Sequence, residues 1–230
     1  MINKKTITDL FFDLDHTLWD FEKNSALTFE QLLTDYNIPV ALPDFLNIYV
    51  PLNLDYWKAF REQRIDKETL RFRRIKDTFD RLKFSIDDDM VYTLADAYIQ
   101  NLPEYNHLFP GAIEVLDKLR YKYSLHIITN GFREVQRFKM RNAGLTPYFN
   151  TVTDSESVGV KKPNPLIFKR ALKNANCDPT SSVMVGDSYE ADIIGALQVG
   201  MHAIHFAIAD ETPHKDCMMI DDLKKLLEIL

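Results

Sequence analysis

Two aspartates, Asp13 and Asp15, follow directly on the apolar run Leu10-Phe11-Phe12. A buried strand is not expected to run straight into two carboxylates, and a spacing of two places both on one face of a regular strand. Two like charges about 4 Å apart cost roughly 4 kcal/mol at an effective dielectric near 20. Either a cation neutralises them or one stays protonated. The pair therefore predicts a metal site, or a nucleophile beside a proton donor.

Three more polar signals follow apparent strands further along the chain. Thr129 and Asn130 offer a hydroxyl and backbone N–H groups where a strand turns into a helix, a common place to hold an anion. Lys162 precedes a proline and can supply a compact positive charge. Asp187 follows a glycine and is followed in turn by Asp192, and its carboxylate suits a magnesium site built from oxygen ligands.

Each of these residues also has a purely structural interpretation when it is taken alone. Asp187 can cap a helix or make a turn, and Thr129 with Asn130 can do the same. Lys162 can be a solvated surface lysine, and Asp192 can be an acid in the first turn of a helix. Four signals in order at successive strand ends favour a single site, because ligands of parallel α/β sheets bind outside the carboxyl ends of the strands.

The elements that must position these residues alternate between strand and helix. We predict strands at 6–12, 124–129, 149–153, 182–185 and 203–208, and helices at 131–143, 165–176, 190–199 and 222–230. This alternation predicts an α/β fold: a Rossmann-like parallel sheet with helices on both faces.

The segment 19–103 differs, because its patterns are helical and we find no convincing strand in it. Ser85 and Asp88 resemble a capping box that opens a helix, and Pro51 interrupts another helical pattern. We expect one core domain to comprise 1–18 and 104–230, with 19–103 as an inserted all-helical domain.

Composition limits the classes of partner. The 230 residues carry a net charge of −6, which argues against a dedicated nucleic-acid binder but not against a small phosphorylated substrate. The two cysteines, Cys177 and Cys217, form no metal-ligand pattern, which favours a reduced, cytoplasmic compartment. We expect no signal peptide and no membrane span.

The chain resembles the haloacid dehalogenase superfamily of phosphotransferases. The resemblance rests on DxDxT at 13–17, the threonine motif at Thr129, the lysine at Lys162 and GDxxxxD at 186–192, and it covers essentially the whole chain. The helical insertion lies where that superfamily carries its cap. The runs FFDLDHTL, IITNGF and GVKKPN are similar to the pyrimidine 5′-nucleotidase branch that acts on non-canonical nucleotides.

Chemistry and the resemblance together imply a role for each acidic residue. Asp13 is expected to attack phosphorus and form an aspartyl-phosphate, and Asp15 to protonate the leaving alkoxide and then activate water. Mg²⁺ is expected to bind the Asp13 carboxylate, the Asp15 backbone carbonyl and the Asp187 carboxylate. Asp192 is expected to support these ligands or to reach the ion through water.

The phosphate-binding residues are expected to be Thr129, the Asn130 amide and Lys162, which neutralise the phosphate oxygens. The leading function is a Mg²⁺-dependent phosphomonoesterase, a pyrimidine nucleoside 5′-monophosphate phosphatase. The alternatives are a sugar-phosphate phosphatase, including the acylneuraminate 9-phosphate type, a phosphomutase, and a non-catalytic binding protein on the same fold. Asp15 excludes a simple dehalogenase, whose chemistry needs no proton donor at that position.

Overall fold

The computed structural model describes residues 4–207 and 212–230. The chain divides into two compact units. One comprises Met1–Phe21 and Asn106–Leu230, and the other is Glu22–Tyr105.

The strands and helices follow one another along the chain in a simple order. The strands are β1 (Asp9–Phe12), β2 (Ser124–Thr129), β3 (Thr151–Asp154), β4 (Ser182–Gly186), β5 (His202–Phe206) and β6 (Met218–Ile220). The α-helices are α1 (Phe21–Asp35), α2 (Leu42–Arg61), α3 (Lys67–Arg81), α4 (Asp88–Asn101), α5 (Ala112–Leu119), α6 (Arg133–Asn142), α7 (Ser155–Val158), α8 (Pro165–Ala175), α9 (Gly195–Gln198) and α10 (Leu226–Ile229).

The first unit is built on a six-stranded parallel sheet with the order β3-β2-β1-β4-β5-β6. All four residues of β1 are buried, as expected for a central strand whose two faces are both covered. One face packs Phe11, Ile128 and Met184 against Ile167 and Phe168 of α8. The predicted Rossmann-like α/β fold is confirmed.

Several elements of the first unit differ in detail from the prediction. The helix expected at 190–199 is a π-helical segment, Tyr189–Ile194, continued by α9. The helix expected at 222–230 is a 3₁₀ turn, Leu223–Lys225, continued by α10, because the Asp222 side chain accepts a hydrogen bond from Lys224 N and caps a tight turn. The strand expected at 203–208 ends at Phe206, and its last predicted residue lies outside the described residues.

The second unit contains helices α1 to α4, and the structure assigns no strand within residues 22–105. Helix α2 runs unbroken through Pro51, so the predicted interruption is wrong. The packing of its buried face, which includes Phe45 and Tyr49, outweighs the loss of one backbone hydrogen bond.

Helix α4 buries one side of its surface, as its sequence pattern predicts, through Val91, Leu94, Ala95 and Tyr98. Its N-cap is Asp87, whose side chain accepts a hydrogen bond from Met90 N at 2.7 Å. The capping box assigned to Ser85 and Asp88 is therefore wrong, because an aspartate closer to the helix takes the capping position. Over the described part of the chain, no helix combines the length and apolar character that a bilayer span requires.

Candidate active site

Three of the predicted site residues lie at the carboxyl ends of three adjacent strands. Lys162 lies in the loop between α7 and α8, so the strand expected directly before it is absent, and Asp192 lies in the π-helical segment Tyr189–Ile194. Asp13 follows β1, Thr129 ends β2 and Asp187 follows β4. Strand β1 pairs with β2 on one side and β4 on the other, so the parallel register brings these ends to one edge of the sheet.

Three carboxylates meet at this edge. One ligand oxygen from each of Asp13, Asp187 and Asp192 lies within 4.8 Å of the other two. The Lys162 ammonium lies 2.9 Å from Asp13 Oδ1 and 2.6 Å from Asp192 Oδ1, and it donates to Ile128 O at 2.8 Å. Lys162 is 1% exposed, so the simpler interpretation as a solvated surface lysine does not hold.

The charges of this group are not balanced, and the pKa values reflect this. Burial, together with the neighbouring Asp192 and Asp187 carboxylates, raises the pKa of Asp13 well above its ordinary value despite Lys162. Burial and the Asp192 carboxylate raise the pKa of Asp187 to about 8. Burial alone would lower the pKa of Lys162, but the Asp13 and Asp192 carboxylates outweigh it and raise that pKa.

This imbalance fits a divalent cation. When all three carboxylates are ionised, their charge exceeds that of Lys162 by two, and their oxygens are the ligands that a hard cation prefers. Asp13 Oδ1 and Asp192 Oδ1 are buried and receive no hydrogen bond of good geometry from the described residues, although Lys162 lies within ion-pair distance of both.

The lack of a side chain at Gly186 leaves the space that the Asp192 carboxylate occupies. A Cβ on Gly186 would lie 2.4 Å from Asp192 Oδ2, so only glycine fits there. The same oxygen accepts a hydrogen bond from Ser188 N at 3.1 Å. Asp192 is fully buried, and its two oxygens therefore tie Lys162 to the loop that carries Asp187.

The loop after β2 is joined to the loop of Lys162 by one side chain. Asn130 Oδ1 accepts from Lys162 N at 2.8 Å, and Asn130 Nδ2 donates to Lys162 O at 3.1 Å. Thr129 Oγ1 accepts from Gly131 N at 3.0 Å. The three expected phosphate-binding residues are thus brought together, with Asn130 fixing the backbone on which Lys162 stands.

Asp15 lies in a different environment from Asp13. The strand ends at Phe12, and the chain turns through His16, which has a φ of 62°. The expectation that both carboxylates share one face of a strand is therefore wrong, because β1 ends at Phe12 and both aspartates follow it. Lys139 Nζ lies 2.6 Å from Asp15 Oδ1, and Gln136 Nε2 donates to Asp15 Oδ2 at 2.7 Å.

Among the residues that contact the predicted site, Gln136, Lys139 and His205 do not enter the sequence analysis, and Thr17 enters it only within the DxDxT run. Gln136 and Lys139 contact Asp15; Thr17 Oγ1 donates to Asp187 Oδ1 at 3.1 Å; and His205 Nε2 lies 2.7 Å from Asp187 O. Thr17 is the threonine of the DxDxT run, which was a usable signal. No sequence motif marks the others, because the sequence alone does not show whether a polar side chain is buried or exposed.

Comparison with known proteins decides the family. The family model described as haloacid dehalogenase-like hydrolase matches residues 10–206. The chain belongs to this family. The resemblance stated from its motifs is therefore confirmed, and the protein is a hydrolase of the haloacid dehalogenase-like class.

Curated relatives include enzymes with different substrates. The pyrimidine 5′-nucleotidase YjjG of Escherichia coli is 33% identical, over 84% of this chain and 82% of that protein. The pyrimidine 5′-nucleotidase PynA of Streptococcus pneumoniae is 32% identical, over 86% and 82%. A glyceraldehyde 3-phosphate phosphatase of Methanothermobacter thermautotrophicus is 30% identical, over 96% and 98%.

Solved structures share the fold over nearly the whole chain. The HAD-hydrolase YfnB of Bacillus subtilis, in a crystal form bound to magnesium, has a TM-score of 0.88 and 27% identity, covering 97% of this chain and 98% of that chain. A 2-haloacid dehalogenase of Pseudomonas syringae has a TM-score of 0.62 and 27% identity, covering 97% of each chain.

Proposed function

We propose that the protein is a Mg²⁺-dependent phosphomonoesterase that works through an aspartyl-phosphate on Asp13. The observation that carries this proposal is the group of half-buried Asp13, half-buried Asp187 and fully buried Asp192, in which Lys162 forms ion pairs with Asp13 and Asp192. Such a group has a nucleophile, an excess of negative charge for a divalent ion, and a fixed positive charge for a phosphoryl group.

In the first step, Asp13 attacks phosphorus in line and the alkoxide leaves as Asp15 gives it a proton. In the second step, Asp15 takes a proton from the water that attacks the phosphoenzyme. Mg²⁺, when held by the Asp13 and Asp187 carboxylates and the Asp15 backbone carbonyl, supplies positive charge for the phosphate oxygens.

The remaining site residues hold the phosphoryl group and the machinery around it. Lys162, the Thr129 hydroxyl and the Asn130 backbone N–H stabilise the phosphate oxygens as charge spreads in the transition state. Asp192 holds the neighbouring groups in position. Its contacts with Lys162 and Ser188 fix the Lys162 ammonium and the loop that carries Asp187.

We propose pyrimidine nucleoside 5′-monophosphates as the preferred substrates. The similarity to YjjG and PynA supports this choice, and the helical unit Glu22–Tyr105 is the proposed cap that selects the substrate. A sugar or triose phosphate is the second candidate, because the glyceraldehyde 3-phosphate phosphatase aligns over 98% of its own length. Acylneuraminate 9-phosphate belongs to the same second class.

Two other functions compete less well. A dehalogenase needs no proton donor two residues after the nucleophile, yet Asp15 is present and is held by two donors. A non-catalytic binding protein does not require three clustered carboxylates, which when ionised repel each other by about 3 kcal/mol per pair at an effective dielectric near 20.

A phosphate-release screen tests the proposal. Thymidine and deoxyuridine monophosphates, glyceraldehyde 3-phosphate, hexose phosphates and acylneuraminate 9-phosphate are compared with Mg²⁺ and with excess chelator. We expect the pyrimidine nucleotides to have the highest kcat/KM, and activity to disappear with chelator and in Asp13→Asn. A sugar phosphate that exceeds every nucleotide tenfold, about 1.4 kcal/mol of transition-state binding, reverses the substrate choice. Full activity in chelator contradicts the metal assignment.

A further inference from the structure

Helix α6 holds both oxygens of the Asp15 carboxylate. Lys139 Nζ lies 2.6 Å from Oδ1 and Gln136 Nε2 lies 2.7 Å from Oδ2. The two residues are three apart, so they share one face of the helix. Each is 2% exposed. Burial of a lysine and a glutamine is costly without partners, and Asp15 is a partner for both.

Gln136 is fitted closely to this position. Its Nε2 also donates to Thr129 Oγ1 at 2.7 Å, so one amide group joins Asp15 to the end of β2. A Cβ on Gly131 would lie 1.8 Å from Gln136 Nε2, and the glycine therefore leaves the space that the amide fills.

The oxygen of the same amide, Gln136 Oε1, lowers the stability of the folded protein. Gln136 Oε1 is buried and accepts no hydrogen bond from the described residues. An unsatisfied buried acceptor costs roughly 1–3 kcal/mol. If the amide were rotated by 180°, its oxygen would face the Asp15 carboxylate and the two would repel. The observed orientation leaves Oε1 without a hydrogen bond but keeps the Nε2 donor on Asp15.

The Lys139 ammonium is confined between the carboxylate and an aromatic wall. Its Nζ lies 3.9 Å from the centre of the Trp19 ring and 5.1 Å from that of Phe21. Trp19 is fully buried and cannot move aside without disturbing its neighbours. Contact with both an aromatic face and a carboxylate restricts the ammonium to a narrow region.

We propose that Gln136 and Lys139 are positioning residues that set the orientation of the Asp15 carboxylate for proton transfer. The inference rests on the proposed function, in which Asp15 is the general acid and base. Donors on separate oxygens fix the plane of the carboxylate and leave its remaining lone pairs for the leaving group and for water. A proton donor has to lie within hydrogen-bond reach of its target, and a misplacement of about 1 Å can cost roughly 10²-fold.

Leaving-group dependence separates this role from a merely structural one. Thymidine monophosphate expels an alkoxide that needs a proton, whereas 4-nitrophenyl phosphate expels an aryl oxide that scarcely needs one. We expect Gln136→Met and Lys139→Met to lower kcat/KM for the nucleotide by about 10- to 10²-fold, with a much smaller loss for the aryl ester. Lys139→Arg keeps the charge and is expected to recover part of the loss. Arg137→Met, on the exposed side of the same helix, is the matched control and is expected to leave the ratio unchanged.

The outcomes of this experiment are distinct. An equal fall for both substrates, or no fall for either, overturns the positioning role. Failure of the wild-type protein to hydrolyse either ester contradicts the proposed function instead. A crystal structure of Gln136→Met judges the positioning role independently of activity: we expect a different Asp15 side-chain orientation, and an unchanged orientation overturns the inference. Thermal unfolding confirms that each variant is folded, and Lys139→Arg provides a second test if a methionine variant does not fold.

Discussion

Asp187→Asn is expected to stabilise the metal-free protein, and to do so more strongly as the pH rises. Burial and the Asp192 carboxylate raise the pKa of Asp187 from 3.8 to about 8 in the folded protein. A folded pKa above the unfolded value means that the native state binds more protons. The free energy of unfolding therefore falls as pH rises between these two values. Asparagine has no proton to exchange, so the variant lacks this loss.

The size of the effect follows from the pKa difference. The shift is 8 − 3.8, or about 4 pKa units, which corresponds to about 5 kcal/mol near pH 8. Near pH 5.5 the pH exceeds the unfolded pKa by only 5.5 − 3.8, or about 2 units, so the loss of stability at that pH is about 2 kcal/mol. Between pH 5.5 and pH 8 the difference in free energy of unfolding between Asp187→Asn and the wild-type protein should thus grow by about 3 kcal/mol, or about 6–12 °C in Tm for a chain of this length.

Thermal unfolding in excess chelator at several pH values measures this difference. Asp178→Asn removes an exposed carboxylate and is the matched control, for which we expect no change in pH dependence. Added Mg²⁺ should raise the Tm of the wild-type protein and leave that of Asp187→Asn nearly unchanged, because one ligand is gone. The reasoning is refuted if the difference in Tm between the wild-type protein and Asp187→Asn stays constant with pH, or if the variant is less stable at every pH.

Three further predictions concern the residues around the nucleophile. Lys162→Met should abolish hydrolysis and lower the free energy of unfolding by about 3–5 kcal/mol in urea titrations, because it leaves buried carboxylates without their cation; unchanged stability contradicts the ion-pair description. Asp15→Asn should lower kcat for nucleotides by about 10²–10⁴-fold. With an aryl phosphate, whose leaving group scarcely needs a proton, phosphoenzyme should accumulate in single-turnover labelling, because the second step still needs its base; normal turnover removes Asp15 from the mechanism. Gly131→Ala should displace the Gln136 amide, so its effect on the ratio of kcat/KM for the nucleotide to that for the aryl ester should not add to the effect of Gln136→Met; full additivity shows that the two act separately.

The core fold could be predicted because its signals are local. Apolar runs such as the one before Asp13 alternate with helical periods, and this alternation specifies a parallel sheet. The order of the strands is not local information. Pairing of β1 with both β2 and β4 depends on how the crossovers pack, and no residue in β1 specifies it.

The site could be predicted in part for the same reason. Asp13, Thr129 and Asp187 stand where strands end, and a strand end is visible in sequence. Gln136 and Lys139 lie inside a helix that carries several other charged residues, so nothing in the sequence marks their side as buried. Their role appears only when the helix is packed against the loop of Asp15.

Identification of the phosphorylated residue tests the central claim most directly. The protein is mixed with Mg²⁺ and a labelled nucleotide, quenched in acid within a single turnover, digested, and analysed by mass spectrometry. We expect phosphate on Asp13, sensitive to hydroxylamine as an acyl phosphate is, and absent from Asp13→Asn. Phosphate on a serine or histidine, or an Asp13→Asn variant with near-normal turnover, contradicts the covalent mechanism.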